Sequence, residues 1–409
     1  MSQATRPFDP WTAIAPAEFR ERQERARKAA AEAGLDGIVV YSRGGAFVDM
    51  HADVLYLTNH YSQQPYMPDH AGIGTARSHG VVVLPVDGPP VLVVDVPWWR
   101  SDLVVADDVR GSNDVTGRVG QALRDTGLLG RRVGLVGTGY MTAAAYLGLR
   151  EAAGDTDLVV VDDLVERLRL VKSPAETELI RRSVAVGDRA VRAMMEAAVQ
   201  GATEADAARA AVDVITPAGA VLYDAACASG ARSHQFTWAR LPSHDAVRPL
   251  ERGDFFHVDC YGAYGGYFWD FGRTRVIGDQ PTDAQRDLLE ATIEGVEHVC
   301  AAIRPGRTAG EVFAEGAAWM RANPVVASLP AGEADTEGFP AVGHGIGLSW
   351  EAPWLMEGDR TVLEPGMYLA VELLLGHESV GGTMFEHNGI VTQDGFEVLT
   401  TCPARWWSR

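Results

Sequence analysis

The feature that most constrains the fold is a loose repeat in the second half of the chain. A long helical stretch ends at Gly201, and the sequence TEAD from Thr203 is typical of a new helix start. The same arrangement recurs 105 residues later, where a helix ends near Gly306 and Thr308 opens its partner. Strand-like sequence follows each helix pair. Two helix–helix–strand copies predict a domain with internal pseudo-twofold symmetry and a site in the crevice between the halves.

Each half also contains a Gly-rich segment that carries two acids. In FFHVDCYGAYGGYFWDFGRT the glycines predict a hairpin, and symmetry about Tyr264-Gly265 places Asp259 directly opposite Asp270. In the second half, Glu372 and Glu386 are equally far from the centre of a Gly-rich connection, so a second hairpin pairs them in the same way. Two carboxylates this close repel each other unless one is protonated or a cation lies between them.

A single histidine, His344, stands between glycines in the stretch VGHGIGLSWEAPW, which we interpret as a loop of the second half. Four carboxylates and one imidazole suit two divalent ions of the Mn, Zn, Fe or Co type. The alternative for any one of these acids is a solvated surface charge. Taken together, the five residues predict a dinuclear metal site.

The first 165 or so residues alternate strand-like and helical stretches, which is typical of an α/β domain. Helices are predicted over 17–33, 117–126 and 141–153. Strands are predicted at GIVVYS, VLYL, GVVVLPV, PVLVVDV, RVGLVG and DLVVVDD, which begin at Gly37, Val54, Gly80, Pro90, Arg132 and Asp157. Ser173, Pro174 and Glu176 then form a capped helix start, so we divide the chain into domains 1–168 and 169–409.

Composition excludes several classes of function. The chain has 36 basic and 55 acidic side chains, a formal net charge of −19, which argues against nucleic acid or an anionic membrane surface as a partner. Its start has no apolar signal core, and no stretch reaches the roughly 18 apolar residues of a membrane span. The four cysteines form no CxxC pair, so a disulfide framework is not expected and a cytoplasmic location is.

The sequence resembles the creatinase/aminopeptidase P/prolidase, or pita-bread, superfamily. The resemblance lies in VDCYGAYGGYFWDFGRT, VGHGIG, LEPGMYLAVE and FEHNGIV, and in RLVKSPAETELIRRS as the opening of the catalytic domain. It implies an α/β (α+β) chain with an N-terminal creatinase-N-like domain, for substrate capping or dimerisation, and a C-terminal pita-bread domain. It also implies a homodimer.

Carried over by residue, the resemblance makes Asp259, Asp270, His344, Glu372 and Glu386 the ligands of two divalent ions, with Mn²⁺ first and Zn²⁺, Co²⁺ or Fe²⁺ as alternatives. Asp270 and Glu386 would bridge both ions, and Asp259 would bind one ion with both oxygens. His344 and Glu372 would hold the other. A water shared by the metals has a depressed pKa, and Glu372 is the natural proton shuttle to a leaving nitrogen.

The chain departs from the pattern of the proline-specific members at several positions. Pro340 stands where those members carry one histidine. Trp350-Glu351 occupies the first two positions of their HExP tract, so Trp350 replaces a second histidine. Met384 replaces an arginine. A third family histidine lies in a loop before the first metal-binding aspartate, and here His234 or His244 would take its role. Glu351 would act as a proton donor if burial raised its pKa. Aromatic residues near these motifs, Trp350 among them, are expected in the core or a dimer contact, or else as a wall for a small or cationic substrate.

The leading hypothesis is a dinuclear metal-dependent hydrolase of an amide-type C–N bond in a small peptide or peptide-like molecule, close to an Xaa-Pro dipeptidase or aminopeptidase. The altered histidine positions favour an alternative on the same scaffold: a creatinase-like amidino or amide hydrolase, or a lyase of the dimethylsulfoniopropionate-cleaving type. The third hypothesis is a metal-free binding module, which the five intact ligand positions disfavour.

Overall fold

The computed structural model describes residues 8–44, 49–62, 79–95, 99–235, 241–329 and 340–406. The chain divides into two units, Met1–Arg169 and Leu170–Arg409. In the described parts of both units, no helix combines the length and apolar content needed to cross a bilayer.

The first unit is built on a six-stranded mixed sheet. Its strands are β1 (Gly37–Arg43), β2 (His79–Pro85), β3 (Val91–Val94), β4 (Asp108–Gly111), β5 (Arg132–Val136) and β6 (Asp157–Val160). Its helices are α1 (Pro16–Glu32), α2 (Ala52–Thr58), α3 (Val115–Asp125), α4 (Ala143–Ala153) and α5 (Asp163–Arg169). The strand order is β4-β3-β2-β1-β5-β6. The Val-rich strands β2 and β3 are buried along their whole length, and β1 is buried up to its last residue, Arg43, as continuous apolar runs predict.

One predicted strand of this unit is wrong. The run VLYL from Val54 lies in α2, every residue of which is buried. A segment buried on all sides has no apolar periodicity, so its helix and strand forms look alike in sequence. The helix ends at Asn59, which takes a left-handed conformation with φ of 56°. Strand β4 and helix α5 were not predicted, because both are short and largely polar.

The second unit carries the repeat. Its helices are α6 (Pro174–Ala197), α7 (Glu204–Ile215), α8 (Asp283–Ala302), α9 (Ala309–Ala322) and α10 (Pro324–Ser328). Its strands are β7 (Val221–Ser229), β8 (Phe255–Tyr264), β9 (Tyr267–Val276), β10 (Ala341–Ile346), β11 (Trp350–Met356), β12 (Tyr368–His377), β13 (Gly381–Val391) and β14 (Phe396–Val398). They form one sheet in the order β7-β8-β9 and another in the order β11-β10-β12-β13-β14.

The predicted pseudo-symmetry is visible in how the helices begin. Helices α6, α7, α8 and α9 all start with a capping box, at Ser173, Thr203, Thr282 and Thr308. Hairpin β8–β9 follows the first helix pair, and hairpin β12–β13 follows the second. The same order of elements in both halves confirms the helix–helix–strand repeat.

Glycines let α6 lie directly on the first hairpin. A Cβ at Gly187 would lie 2.4 Å from the Trp269 ring, and one at Gly262 would lie 2.3 Å from the same ring. Trp269 is fully buried between them. The loss of helix propensity at Gly187, roughly 1 kcal/mol, is therefore offset by the burial of an entire indole.

Candidate metal centre

The first pair of acids comes from hairpin β8–β9. Asp259 pairs with Gly272, and Asp270 pairs with Tyr261, so the two acids are diagonal neighbours rather than directly opposite as expected. The reason is the turn. Gly265 and Gly266 both have positive φ, 60° and 87°, and form a two-residue turn whose centre lies one residue later than the expected one. Diagonal residues still share a face, and the two carboxyl groups are in hydrogen-bond contact.

The second pair comes from hairpin β12–β13. Glu372 pairs directly with Glu386, which confirms the expected register. Both side chains are buried, with exposed fractions of 8% and 1%. Directly opposed residues have Cβ atoms about 5 Å apart, close enough for both carboxylates to reach one ion.

His344 lies in strand β10, not in a loop as expected. Its strand is held between β11 and β12, where His344 pairs with Trp354 and Ala370. The flanking glycines make this close packing possible, since a Cβ at Gly343 would lie 2.3 Å from Ala370 O and one at Gly345 would lie 2.2 Å from Ala352 O. The glycine pattern therefore reflects tight strand contacts rather than a loop.

The imidazole of His344 is directed toward the acids. Its Nδ1 lies 2.9 Å from Gly345 O, which accepts a hydrogen bond from the Nδ1–H tautomer. Its Nε2 lies 3.7 Å from Asp270 Oδ2 and 3.6 Å from Glu372 Oε1. Burial lowers the pKa of His344 to about 4 against the opposing effect of the Gly345 hydrogen bond, so the ring is neutral at pH 7. A neutral Nε2 lone pair facing carboxylates is the arrangement of a metal-binding histidine.

All five predicted ligands therefore meet. One ligand atom from each of Asp270, His344 and Glu386 lies within 4.8 Å of the others. Glu372 joins them through His344, and Asp259 through Asp270. Three strands of one sheet and the facing hairpin of the other thus bring together one histidine and four acids.

The four carboxyl groups share a strong electrostatic strain. Burial raises the pKa of all four, and the neighbouring acids add to the effect at Asp270, Glu372 and Glu386. At Asp259 the hydrogen bond from Asp270 opposes burial, while the charge of Asp224 adds to it. Four ionised carboxylates at these separations require a compensating cation.

Unpartnered oxygens show that the residues fit a metal. Both carboxylate oxygens of Glu386, and Oδ1 of Asp259, are buried without a hydrogen-bond partner in the part of the chain that the structure describes. Burying a carboxylate oxygen without a partner is costly, and coordination to a divalent ion removes that cost. Oxygen ligands with one imidazole nitrogen suit divalent ions such as Mn²⁺ and Zn²⁺.

Asn388 and Tyr368 hold the two hairpins together, and sequence reasoning missed both. Asn388 Oδ1 accepts a hydrogen bond from Asp270 N at 3.0 Å, while its Nδ2 donates to Asp270 O. Tyr368 donates to Asn388 Oδ1 at 3.0 Å from full burial. The available signal was the position of Asn388, two residues after Glu386 on the same face of β13.

A buried arginine, Arg273, also escaped sequence reasoning. It donates to Glu386 O at 2.5 Å and to Cys402 O at 3.1 Å, and its guanidinium stacks 4.4 Å from the Phe385 ring centroid. Met384 packs closely against the neighbouring Gly272, since a Cβ on Gly272 would lie 2.5 Å from the methionine sulfur. Arg273 therefore supports the backbone of Glu386 from the neighbouring hairpin.

An aromatic group borders Asp270. Trp350 Nε1 donates to Asp270 Oδ2 at 2.5 Å. Its ring centroid lies 5.1 Å from that of Tyr261 and 5.0 Å from that of Phe268. Trp350 and Tyr261 are half-buried, so this aromatic group lies beside the acids with part of its surface in contact with solvent.

Other neighbours place the two further catalytic candidates. His234 follows Ser233, whose Oγ accepts from Gly382 N, and the Gly382 backbone is four residue pairs along β12–β13 from the glutamate pair, about 13 Å away. Glu351 pairs instead with Lys172, with 2.5 Å between Oε1 and Nζ. Its side chain lies on the opposite face of β11 from that of Trp350, because adjacent residues of a strand alternate.

Of the two histidines considered for the third position, the segment of His244 lies nearer. Cys227 N donates to Ser243 O at 3.0 Å, and the next residue back, Ala226, is the cross-strand partner of Asp259. Ser243 also donates to Asp224, whose charge acts on Asp259. Asp224 is thus a fifth acid beside the centre that sequence reasoning did not identify.

Comparison with known proteins agrees with this geometry. A model of "Metallopeptidase family M24" matches residues 178–393, and one of the "Creatinase/Prolidase N-terminal domain" matches residues 22–171. The Xaa-Pro dipeptidase of Pyrococcus furiosus is 28% identical over 266 residues, 64% of this chain and 72% of that protein. The probable dipeptidase PepE of Mycobacterium tuberculosis is 29% identical over 400 residues, 94% of this chain and 95% of that protein.

The fold is likewise shared with solved structures. An Xaa-Pro dipeptidase from Bacillus anthracis superposes with a TM-score of 0.77 at 25% identity, covering 95% of this chain and 99% of that one. The expected mixed α/β chain, with a creatinase-N-like domain before a pita-bread domain, is confirmed. The chain belongs to metallopeptidase family M24 and has the enzyme class of that family, a metal-dependent hydrolase.

Proposed function

We propose that the protein is a dinuclear hydrolase that cleaves an amide-type C–N bond in a small peptide or peptide-like substrate, with Xaa-Pro dipeptidase or aminopeptidase P-like specificity. The observation that carries the proposal is the convergence of four carboxylates on His344, with buried carboxylate oxygens that have no partner among the described residues. Similarity to Xaa-Pro dipeptidases over most of the chain supports the substrate class.

Asp259, Asp270, His344, Glu372 and Glu386 would hold two divalent ions, which we expect to be Mn²⁺, with Zn²⁺, Co²⁺ or Fe²⁺ as the other options. Because His344 Nε2 is 3.6 Å from Glu372 Oε1, these two residues are assigned to the same ion. Asp259, Asp270 and Glu386 would complete the ligand set of the two ions, since Asp270 and Glu386 lie in one cluster with His344 and Asp259 adjoins Asp270.

Divalent ions supply Lewis acidity, which lowers the pKa of a nucleophilic water and polarises the scissile carbonyl. The side chains of the protein do the rest. Glu372, at the edge of the cluster, is the group that takes a proton from the water and delivers it to the leaving nitrogen. Asn388 and Arg273 hold the backbones of Asp270 and Glu386, so that these carboxylates keep their positions during the reaction.

A second candidate is a small-molecule enzyme on the same scaffold: an amidino or amide hydrolase, or a lyase. Trp350 favours it, because it takes the place of the histidine in the HExP tract and commits its N–H to Asp270. An indole cannot accept a hydrogen bond or carry a proton to a peptide. The aromatic group of Trp350, Tyr261 and Phe268 would suit an apolar or cationic small molecule.

A substrate panel separates the two candidates. The protein is loaded with Mn²⁺ and assayed on Xaa-Pro dipeptides, on creatine and on dimethylsulfoniopropionate. We expect turnover of the dipeptides and its loss in Glu372→Gln. The matched control is Glu397→Gln, which removes a charge from β14 of the same sheet, where Glu397 pairs with Arg181 at the surface. Turnover confined to the non-peptide compounds would refute the peptidase and support the second candidate.

We also propose that the protein is a cytoplasmic homodimer. All four cysteines lie in described segments as buried thiols that form no disulfide, which suits a reducing compartment. Sedimentation equilibrium of the metal-loaded protein is expected to give the mass of two chains, and the mass of one chain would contradict the dimer. Fractionation of cells that express the protein tests the location.

A further inference from the structure

The connection between β10 and β11 is held by a buried ion pair. Lys172 Nζ lies 2.5 Å from Glu351 Oε1, and the two side chains are only 3% and 1% exposed. Lys172 Nζ also donates to Leu170 O at 3.2 Å. The pair thus links Glu351, the second residue of β11, to the segment that leads into α6.

The same connection is fixed on its other sides. Gly347 packs against the pair so closely that a Cβ there would lie 2.6 Å from Glu351 Oε1 and 3.0 Å from Lys172 Cε. Gly347 O accepts a hydrogen bond from Phe268 N, in β9, at 2.8 Å. The backbone on both sides of Trp350 is therefore held in one position.

Trp350 projects from this fixed backbone to the face opposite Glu351. Its Nε1–H donates to Asp270 Oδ2 at 2.5 Å, and its ring packs against Tyr261 and Phe268. Asp270 also has its backbone N–H and C=O bound by Asn388. Both the main chain and the carboxylate of Asp270 are consequently oriented by neighbours.

We propose that Trp350 is a positioning residue that orients the Asp270 carboxylate for metal binding, and that the Lys172–Glu351 pair keeps the indole in place. The N–H occupies one lone pair of Oδ2 and fixes the carboxylate rotamer, leaving the remaining lone pairs for cations. Hydrogen bonds from outer residues to metal ligands commonly contribute about tenfold to hundredfold in metal affinity. The inference rests on the metal centre of the proposed function.

The ion pair is better explained by positioning than by stability. Desolvation of two buried charges offsets most of their attraction, so an apolar pair of similar size is often equally stable. A buried pair can instead select one conformation, and here the conformation selected is the one that points Trp350 at Asp270. Replacing the pair with apolar residues should therefore lower metal affinity while leaving stability close to that of the parent protein.

The first experiment compares Trp350→Phe with Trp319→Phe by titration of the metal-free protein with Co²⁺, followed by its visible absorption. Trp319 lies on α9, where it stacks on His298 with centroids 6.0 Å apart, and serves as the matched control. We expect Trp350→Phe to bind Co²⁺ about tenfold to hundredfold more weakly, with an altered absorption band. Equal affinity and equal spectra in the two variants would overturn the proposal.

The second experiment leaves Trp350 in place and replaces the ion pair, in Lys172→Met/Glu351→Leu. We expect urea stability of the metal-free form to stay close to that of the parent while Co²⁺ affinity falls. Adding Trp350→Phe should then weaken binding no further, because both changes act through the same hydrogen bond. Fully additive losses, or no loss in the double variant, would refute the role of the pair.

These results do not depend on substrate. If the parent protein binds two Co²⁺ but hydrolyses no dipeptide, the substrate assignment fails and the role of Trp350 is still decided by the titrations. If the parent protein binds no Co²⁺, both the proposed function and this inference are refuted.

Discussion

The two acid-bearing hairpins occupy equivalent places in the repeat but deliver their carboxylates differently. In β8–β9 a two-residue Gly-Gly turn leaves Asp259 and Asp270 as diagonal neighbours. In β12–β13 a longer connection leaves Glu372 and Glu386 directly opposed. The equivalent helices therefore set where each hairpin lies, whereas the turn sets which residues face each other.

The hairpins also differ in how their acids are supported. The carboxylate of Asp270 accepts a hydrogen bond from Trp350, while its backbone N–H donates to Asn388 and its backbone C=O accepts from Asn388. Glu386 is paired with Glu372 in the strand ladder and its backbone carbonyl accepts from Arg273, but its two carboxylate oxygens have no partner within the described residues. The carboxylate of Asp270 is thus oriented by protein groups, whereas that of Glu386 depends on the cation.

The largest expected effect follows from that dependence. Glu386→Gln keeps the shape of the side chain but removes the charge that two ions would share. We expect loss of both ions and a fall in kcat/KM of roughly 10³-fold, equivalent to about 4 kcal/mol. Metal analysis and peptidase assays of Glu386→Gln and the surface control Glu397→Gln measure this. Retention of two ions by Glu386→Gln would remove Glu386 from the ligand set.

Metal removal should affect the two hairpins unequally. At a free metal concentration about 1,000 times Kd, bound metal stabilises the folded state by about 4 kcal/mol, which chelation removes. Hydrogen exchange with and without chelator is expected to show the greater loss of protection in β12–β13. Equal losses in β8–β9 and β12–β13 would show that the aspartate hairpin depends on metal as much as the glutamate hairpin does.

Arg273 lies in hairpin β8–β9 and donates to the backbone of Glu386 in hairpin β12–β13. Its replacement should therefore destabilise β12–β13. Arg273→Met leaves the buried carbonyls of Glu386 and Cys402 without their charged donor. We expect the free energy of unfolding to fall by about 3 kcal/mol, measured by urea denaturation. Arg182→Met, which breaks an exposed pair with Glu178 on α6, should cost less than about 1 kcal/mol. Similar losses in both variants would contradict this view of Arg273.

The smallest effect concerns the turns. Gly266 has φ of 87°, so Gly266→Ala should cost about 1–2 kcal/mol because a Cβ disfavours the left-handed conformation. Ser379→Ala in the exposed connection of the other hairpin should change stability by less than about 0.5 kcal/mol. Thermal or urea unfolding of the two variants gives the comparison. A loss at Ser379 as large as that at Gly266 would mean that both turns set register by backbone strain.

Much of the site was predictable because its signals are local in sequence. Acids spaced symmetrically about glycines indicated both hairpins, and Glu372 and Glu386 fell in the expected register. The register of Asp259 and Asp270 was wrong by one step of the turn, since YGGY offers two possible centres. His344 was expected in a loop because glycine permits both a loop and the close strand packing that the structure contains.

The contacts that support the site could not be predicted, because they join residues far apart in the chain. Trp350 and Asp270 are 80 residues apart, and Asn388 and Asp270 are 118 apart. Neither distance leaves a periodic pattern in the sequence. Glu351 was a reasonable proton donor by its position in the motif, but its partner Lys172 lies 179 residues away and was not foreseen. In the first unit, complete burial concealed helix α2 at Val54 for the same lack of pattern.

The distribution of cysteines has a practical consequence. All four thiols, at positions 227, 260, 300 and 402, are buried and belong to the second unit. Burial raises the pKa of Cys300 to about 12 and that of Cys402 to about 11, so the reactive thiolate is scarce while this unit is closed. The rate of modification by a chromogenic disulfide reagent therefore reports the unfolding of the second unit alone, without any introduced label.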